Sequence, residues 1–158
     1  MNVRLDFFDE FQDPYMNTKG GQGVFLAGLV FGMIARGQAG KNGNIDSSPM
    51  YKQLHFGRIQ RRDLSRLMAR VPELTRAYNL PYADMIESLC GEAGKLLLEG
   101  LSDELGVDGN FAFSIAFLNA PDYFWKIFKK QSKDEDVMVN QETPEEPAGQ
   151  QLTLGYEN

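Results

Sequence analysis

The chain predicts an all-α fold, a compact bundle of about five helices followed by a disordered acidic C-terminal tail. Three observations lead there. Val24 to Ala35 is a run of twelve residues without a charge, too long for an ordinary strand. Valine, isoleucine and threonine are sparse, and no stretch alternates apolar with polar residues. Several later stretches repeat apolar residues at helical spacing. Residues 1–132 are assigned to the bundle and 133–158 to the tail.

The uncharged run is the element on which the rest must pack. At about 1.5 Å per residue it spans roughly 18 Å, short of the roughly 20 apolar residues that cross a bilayer. On a helical wheel Leu26, Leu29, Val30, Met33 and Ile34 fill one broad side, flanked by Phe25 and Phe31. Gly28, Gly32 and Ala35 form a narrow strip of small residues. A helix apolar nearly all round has to be covered on most sides, and the strip admits one neighbouring helix at close range. Each glycine costs about 1 kcal/mol relative to alanine, so packing has to offset it.

With 158 residues, 42% of them hydrophobic, the chain suits one domain with a single core. Arg4, Asp6, Asp9 and Glu10 interrupt the N-terminal residues, which leaves no apolar run for a signal peptide. One cysteine excludes an internal disulfide and fits a reducing cytoplasm. The net charge of −6 divides unevenly. Residues 1–132 balance fifteen Lys and Arg against fifteen Asp and Glu, whereas 133–158 hold one lysine and seven acids. The tail, with Pro144, Pro147 and no apolar stripe, is expected to be disordered, so its charge says little about the folded surface.

From the N-terminus, Leu5, Phe7, Phe8 and Phe11 form an apolar cluster ending near Pro14 that should cover the central helix. Lys19-Gly20-Gly21-Gln22-Gly23 matches neither a Walker loop nor the dinucleotide fingerprint, and is taken as a flexible lead into that helix. Residues 39–49 are a polar loop, after which Met50, Tyr51, Leu54 and Phe56 return to the core. Leu80-Pro81 opens a helix with the stripe Met85, Ile86, Leu89, Cys90, Ala93, Leu96 and Leu97, ending at Gly100. Gly106 and Gly109 interrupt the start signalled by Ser102-Asp103-Glu104, which leaves Phe111 to Asn119 as the next helix. Pro121 begins a final short one ending at Lys129-Lys130.

The segment from Arg58 or Arg61 to Tyr78 carries the most chemistry. As one helix counted from Arg58, it places Leu64, Leu67, Met68, Val71, Leu74 and Tyr78 between about 160° and 280°. Arg62, Arg66 and Arg70 then fall at about 40°, 80° and 120°, Arg76 near zero and Arg61 near 300°. A solvated face accounts for such a ladder in many proteins. Ordinary solvated faces mix signs, however, and only Asp63 and Glu73 dilute these arginines. The guanidinium fork suits bidentate phosphate contact. Lys19, Arg36, Lys41 and Lys52 could extend the patch. Spaced arginines without a base-reading module point to backbone contact.

No catalytic constellation emerges. His55 and Cys90 are the sole histidine and cysteine, and Cys90 falls on an apolar side, as a structural thiol would. No cluster has transition-metal spacing, and Asp103, Glu104 and Asp108 are explained by a helix start without calcium. A non-enzyme without a cofactor or metal is expected.

The run FLAGLVFGMIARGQ, then Tyr51, Lys52 and Leu54, then RRDLSRLMARVPELTRAY resembles the C-terminal helical region of the large subunit of type I-B CRISPR interference complexes. Phe25, Leu26, Gly28 and Gln38 match the first part of that family's pattern. Tyr51, Lys52 and Leu54 match the second, and Leu67, Val71, Glu73 and Tyr78 the third. The resemblance covers roughly residues 20–128 and departs from the pattern between Ser102 and Gly109, where the family has a continuous helix with aromatic residues. In these systems the region is also made as a separate small subunit from an internal start, and a chain beginning at Met1 looks like that product.

The resemblance implies a cytoplasmic, non-catalytic small subunit lining the belly of an RNA-guided surveillance complex (Cascade) in antiviral defence. Its partners would be further copies of itself, the large subunit and the repeated backbone subunits that hold the guide RNA. It would also contact target DNA, commonly the displaced strand, and no membrane. R-loop formation exchanges duplexes of similar stability, so modest phosphate contacts can tip it. Arg58, Arg62, Arg66 and Arg70 are the expected phosphate contacts, with Arg61 and Lys52 as weaker candidates and Lys41 as a loop contact. Two rivals are a purely structural interaction subunit, whose arginines pair with acidic partners, and a helical DNA-binding regulator acting alone.

Overall fold

Thr18 opens the first long helix by accepting a hydrogen bond from the Gly21 N–H through its hydroxyl at 3.0 Å, the usual N-cap chemistry. The helix, α1 (Lys19–Ala39), then runs through the glycines expected to form a flexible lead. Those glycines serve close approach. A Cβ on Gly20 would lie 2.9 Å from the Gly100 carbonyl oxygen, and one on Gly23 would lie 2.9 Å from Leu97 Cγ. The missing side chains let α1 meet the next long helix, α5 (Ala83–Gly100), backbone against backbone.

This computed structural model describes residues 3, 5–101 and 104–128. The expected tail, 133–158, lies outside the described residues, as do Ser102, Asp103 and Lys129-Lys130. The chain divides into a unit over Met1–Ile127, to which the contacts below belong, and a second over Phe128–Asn158 of which only Phe128 is described. Among the described residues every regular element is helical. Besides α1 and α5 these are α2 (Pro49–Gln53), α3 (Arg61–Ala69), α4 (Val71–Ala77), α6 (Gly106–Leu118) and α7 (120–128). No described helix is long and apolar enough to cross a membrane. The expected bundle of about five becomes seven because α2 is a separate short helix and the arginine-rich segment is two.

Residues 24–32 of α1 are all buried, enclosed by α5 on one side and α6 on the other. The small strip works as expected. A Cβ on Gly28 would sit 2.7 Å from the Phe113 carbonyl oxygen, and one on Gly32 would sit 2.6 Å from that of Phe117. Phe7, Phe8 and Phe11 close the remaining side, with ring centroids 5.5 to 6.1 Å from Phe25. Tyr123 of α7 completes the cluster, 5.0 Å from the same ring and nearly perpendicular to it, the edge-to-face arrangement that aromatic quadrupoles favour.

Two further sequence expectations need correction. First, Gly106 and Gly109 do not interrupt α6. Gly106 has φ +68°, which only glycine adopts cheaply, and the helix starts on it. Gly109 leaves room for the Tyr15 hydroxyl, 2.9 Å from where its Cβ would stand. Second, the segment from Arg58 to Tyr78 is not one helix. Arg58 precedes α3 in a turn, and the helix breaks at Arg70, where ψ is −3°. Pro72 is the cause: its ring displaces the carbonyl four residues back and it has no N–H to donate. The second helix, α4, ends at Ala77, so Tyr78, expected in the core, lies at its C-cap and is 43% exposed, while Leu64, Leu67, Val71 and Leu74 are buried as expected.

Candidate functional site

The N-terminal end of α3 is held from three directions. Asp63 Oδ2 accepts a hydrogen bond from the Gln60 N–H at 2.9 Å, returning the chain onto its own helix start. Glu104, from the α5–α6 connection, accepts from the Arg61 N–H through Oε1 at 3.0 Å. Asn110 reaches across from α6. Its Oδ1 accepts from the Ile59 N–H at 2.6 Å, and its Nδ2 donates to the Ile59 carbonyl at 3.3 Å and to the Gly106 carbonyl at 3.0 Å. Asn110 is 8% exposed and Ile59 3%. A buried amide that satisfies both backbone groups of one residue acts as a clamp. The backbone at the start of α3 is therefore tied to α6 and to the connection before it.

Arg58, Arg62 and Arg66 line one polar concavity of about 410 Å³, together with Gln53, His55 and Asp63. Arg61, Arg62 and Arg66 border a second of about 610 Å³ with Ser65 and Glu104. Arg62 and Arg66, one helical turn apart, form the ridge between them. Lys41 in the turn after α1, Lys52 at the end of α2 and Arg70 at the α3–α4 junction are exposed but line neither space.

Arg66 and Arg70 each sit beside a carboxylate. Arg66 Nη2 lies 3.5 Å from Asp63 Oδ1, and Arg70 Nε lies 3.6 Å from Glu73 Oε1, both pairs three residues apart and exposed. Exposed pairs contribute about 0.2–1 kcal/mol, so neither guanidinium is locked away from an anion. Arg58 and Arg62 have no ion-pair partner among the described residues. Two of the cations expected to extend the patch are engaged elsewhere. Lys19 Nζ lies 2.9 Å from Glu99 Oε1, and Arg36 Nη2 donates to the Leu118 carbonyl at 2.7 Å, capping the C-terminal end of α6.

Sequence reasoning missed Asn110, Glu104 and the place of His55. Asn110 carried a signal: a lone amide in the middle of an otherwise apolar helix is poorly suited to helix interiors and needs a buried partner. Glu104 was treated only as part of a helix start, and that a residue so far along the chain caps Arg61 has no local signature.

Between α3–α4 and α5 runs an apolar groove of about 510 Å³, lined by Met68, Cys90, Gly94 and Leu97 among others. Burial, and to a lesser extent the Glu87 charge, push the Cys90 thiol up to about 11. A thiol so held stays protonated at neutral pH. Among the described residues no group of three His, Cys, Asp or Glu is placed to hold a metal. On α6, Val107, Phe111 and Leu118 stand 86%, 65% and 51% exposed along the side turned from α1. They are spaced four and seven residues apart and so share one face.

The model for the C-terminal domain of CRISPR-associated protein TM1802 matches residues 2–131. No curated protein and no solved structure matches the chain.

Proposed function

The chain belongs to the CRISPR-associated protein TM1802 C-terminal domain family, and from that premise we propose that it acts as the non-catalytic small subunit of a type I, subtype I-B, RNA-guided surveillance complex. In that role it contacts nucleic-acid backbone in the displaced strand and bridges the large subunit, the repeated backbone subunits and further copies of itself around the guide RNA. One observation carries the nucleic-acid part: Arg58 and Arg62 face a concavity without carboxylate partners, on either side of a helix start that Asn110 and Glu104 clamp. With the backbone beneath them fixed, only the side chains of these arginines lose freedom on meeting phosphate. The apolar face of α6 supports the bridging part, because three large exposed side chains in a row on one helix are typical of a surface that another protein covers.

The phosphate contact is sequence-independent and supplements the heteroduplex. R-loop formation is nearly balanced, so a few charge-assisted contacts shift it toward the open form. Reconstituted complexes carrying Arg62→Glu and Arg66→Glu provide the test. Normal assembly with faster loss of the displaced strand supports the assignment. Failed assembly, with strand retention unchanged in complexes loaded before the variant is exchanged in, means that the arginines pair with acidic partner surfaces instead.

A further inference from the structure

Beside its arginines the 410 Å³ concavity is lined by planar side chains, among them the His55 imidazole and the Gln53 amide. The His55 side chain has no hydrogen bond, ion pair or ring contact to a described residue. Gln53 Nε2 donates only a long 3.4 Å bond to the Pro49 carbonyl, which leaves its Oε1 available to accept. Phosphate alone calls for cations and N–H donors. A histidine ring and a carboxamide next to them are the side chains that stack on a base and hydrogen-bond its edge. The one carboxylate present is already committed: Asp63 accepts from Gln60 N–H through one oxygen and pairs with Arg66 through the other. The volume lies in the range of small-molecule clefts, about 300–1,000 Å³, whereas a duplex shows its bases only inside a groove about 12 Å wide.

We propose that this concavity is a subsite for one unpaired nucleotide, in which Arg58 and Arg62 hold the phosphate while His55 and Gln53 contact the base. Resting on the small-subunit role, the proposal adds to it a reason for choosing a single strand over a duplex: only an unstacked base can enter. Base identity is not read, since a ring face and one amide accept any base. Arg66, on the ridge toward the second concavity, holds the next phosphate along the strand.

Because the chain has a single histidine, its ring carbon and proton resonances report this site alone. The full chain is titrated in an NMR experiment with a thymidine decamer and, separately, with an abasic decamer that keeps the phosphodiesters and lacks bases. The side-chain Nε–Hε signals of the arginines are followed as well. The thymidine decamer is expected to shift both the His55 and Arg62 signals, and the abasic strand only the arginine signals. His55→Ala with Gln53→Ala should weaken thymidine binding by about fivefold or more, the scale of one stacked base, and leave abasic binding unchanged. If His55 responds equally to both strands, or to neither while the arginines shift, the base contact is wrong and the phosphate role stands. If the arginine signals move with neither strand, the phosphate assignment fails, and the subsite with it.

Discussion

Replacing Asn110 by alanine should loosen the cationic helix without touching it. The side chain makes three hydrogen bonds, two of them to the backbone of Ile59, which is 3% exposed. Alanine leaves the Ile59 N–H and carbonyl buried and unpaired. Orphaning a buried polar group costs about 1–3 kcal/mol. The 2.6 Å bond to the N–H should lie at the upper part of that range and the 3.3 Å bond to the carbonyl at the lower. A loss of about 2–4 kcal/mol follows, a large fraction of the 5–15 kcal/mol typical of a domain. At about 2–4 °C per kcal/mol for a chain of this size, Tm should fall by roughly 4–16 °C. Urea unfolding followed by far-UV circular dichroism measures the loss directly, with an unchanged m-value showing that the same surface is exposed. Asn110→Asp retains the acceptor for Ile59 N–H but loses both donated bonds, so it should also destabilise. A change below about 0.5 kcal/mol, the scatter of an ordinary surface substitution, would refute the clamp.

The remaining predictions follow from packing, exposure and charge. Gly32→Ala puts a methyl 2.6 Å from both the Phe117 carbonyl oxygen and Ala120 Cβ, and should destabilise by about 1–3 kcal/mol despite better helix propensity. Gly91→Ala meets nothing within 4 Å and should stabilise by about 0.5–1 kcal/mol in the same urea experiment. With its pKa at about 11 against an ordinary 9.0, Cys90 should be alkylated by iodoacetamide at pH 8 about a hundredfold more slowly in the native chain than after unfolding, since the thiolate fraction sets the rate. The same shift makes stability fall between about pH 9 and 11, because the unfolded chain releases the thiol proton first and so binds fewer protons than the native chain across that window. Phe111→Ser should leave Tm nearly unchanged, since the ring is 65% exposed, yet reduce co-elution with partner subunits.

The helical class and its central element could be read from residues alone because each rests on local physics. An uncharged run flanked by polar loops has no stable state other than a covered helix, and Gly28 and Gly32 mark where its neighbour comes closest. The buried faces of α3 and α5 followed from spacing for the same reason. Burial of Leu64, Leu67, Ile86, Leu89 and Ala93 is a question of which side of a cylinder is apolar. Where one local rule overrode another, the pattern misled. Pro72 outranked the continuous apolar stripe, and Gly20 and Gly23, ordinarily helix breakers, became helix because α5 packs where their side chains would be.

The arginines of α3 and the face they occupy are visible in the chain, but the anchoring of the helix start is not. It depends on Asn110 and Glu104, separated from Ile59 and Arg61 by fifty-one and forty-three residues, and no periodicity links positions so far apart. Lys19 and Arg36 show the converse. Both are plausible members of a cationic patch in one dimension, yet a carboxylate on α5 and a carbonyl at the end of α6 claim them. Residue type and spacing determine which side chains are cationic and which helices they ride on. Pairing across the fold determines which of those charges remain available, because a hydrogen bond depends on distance in space and not on separation along the chain.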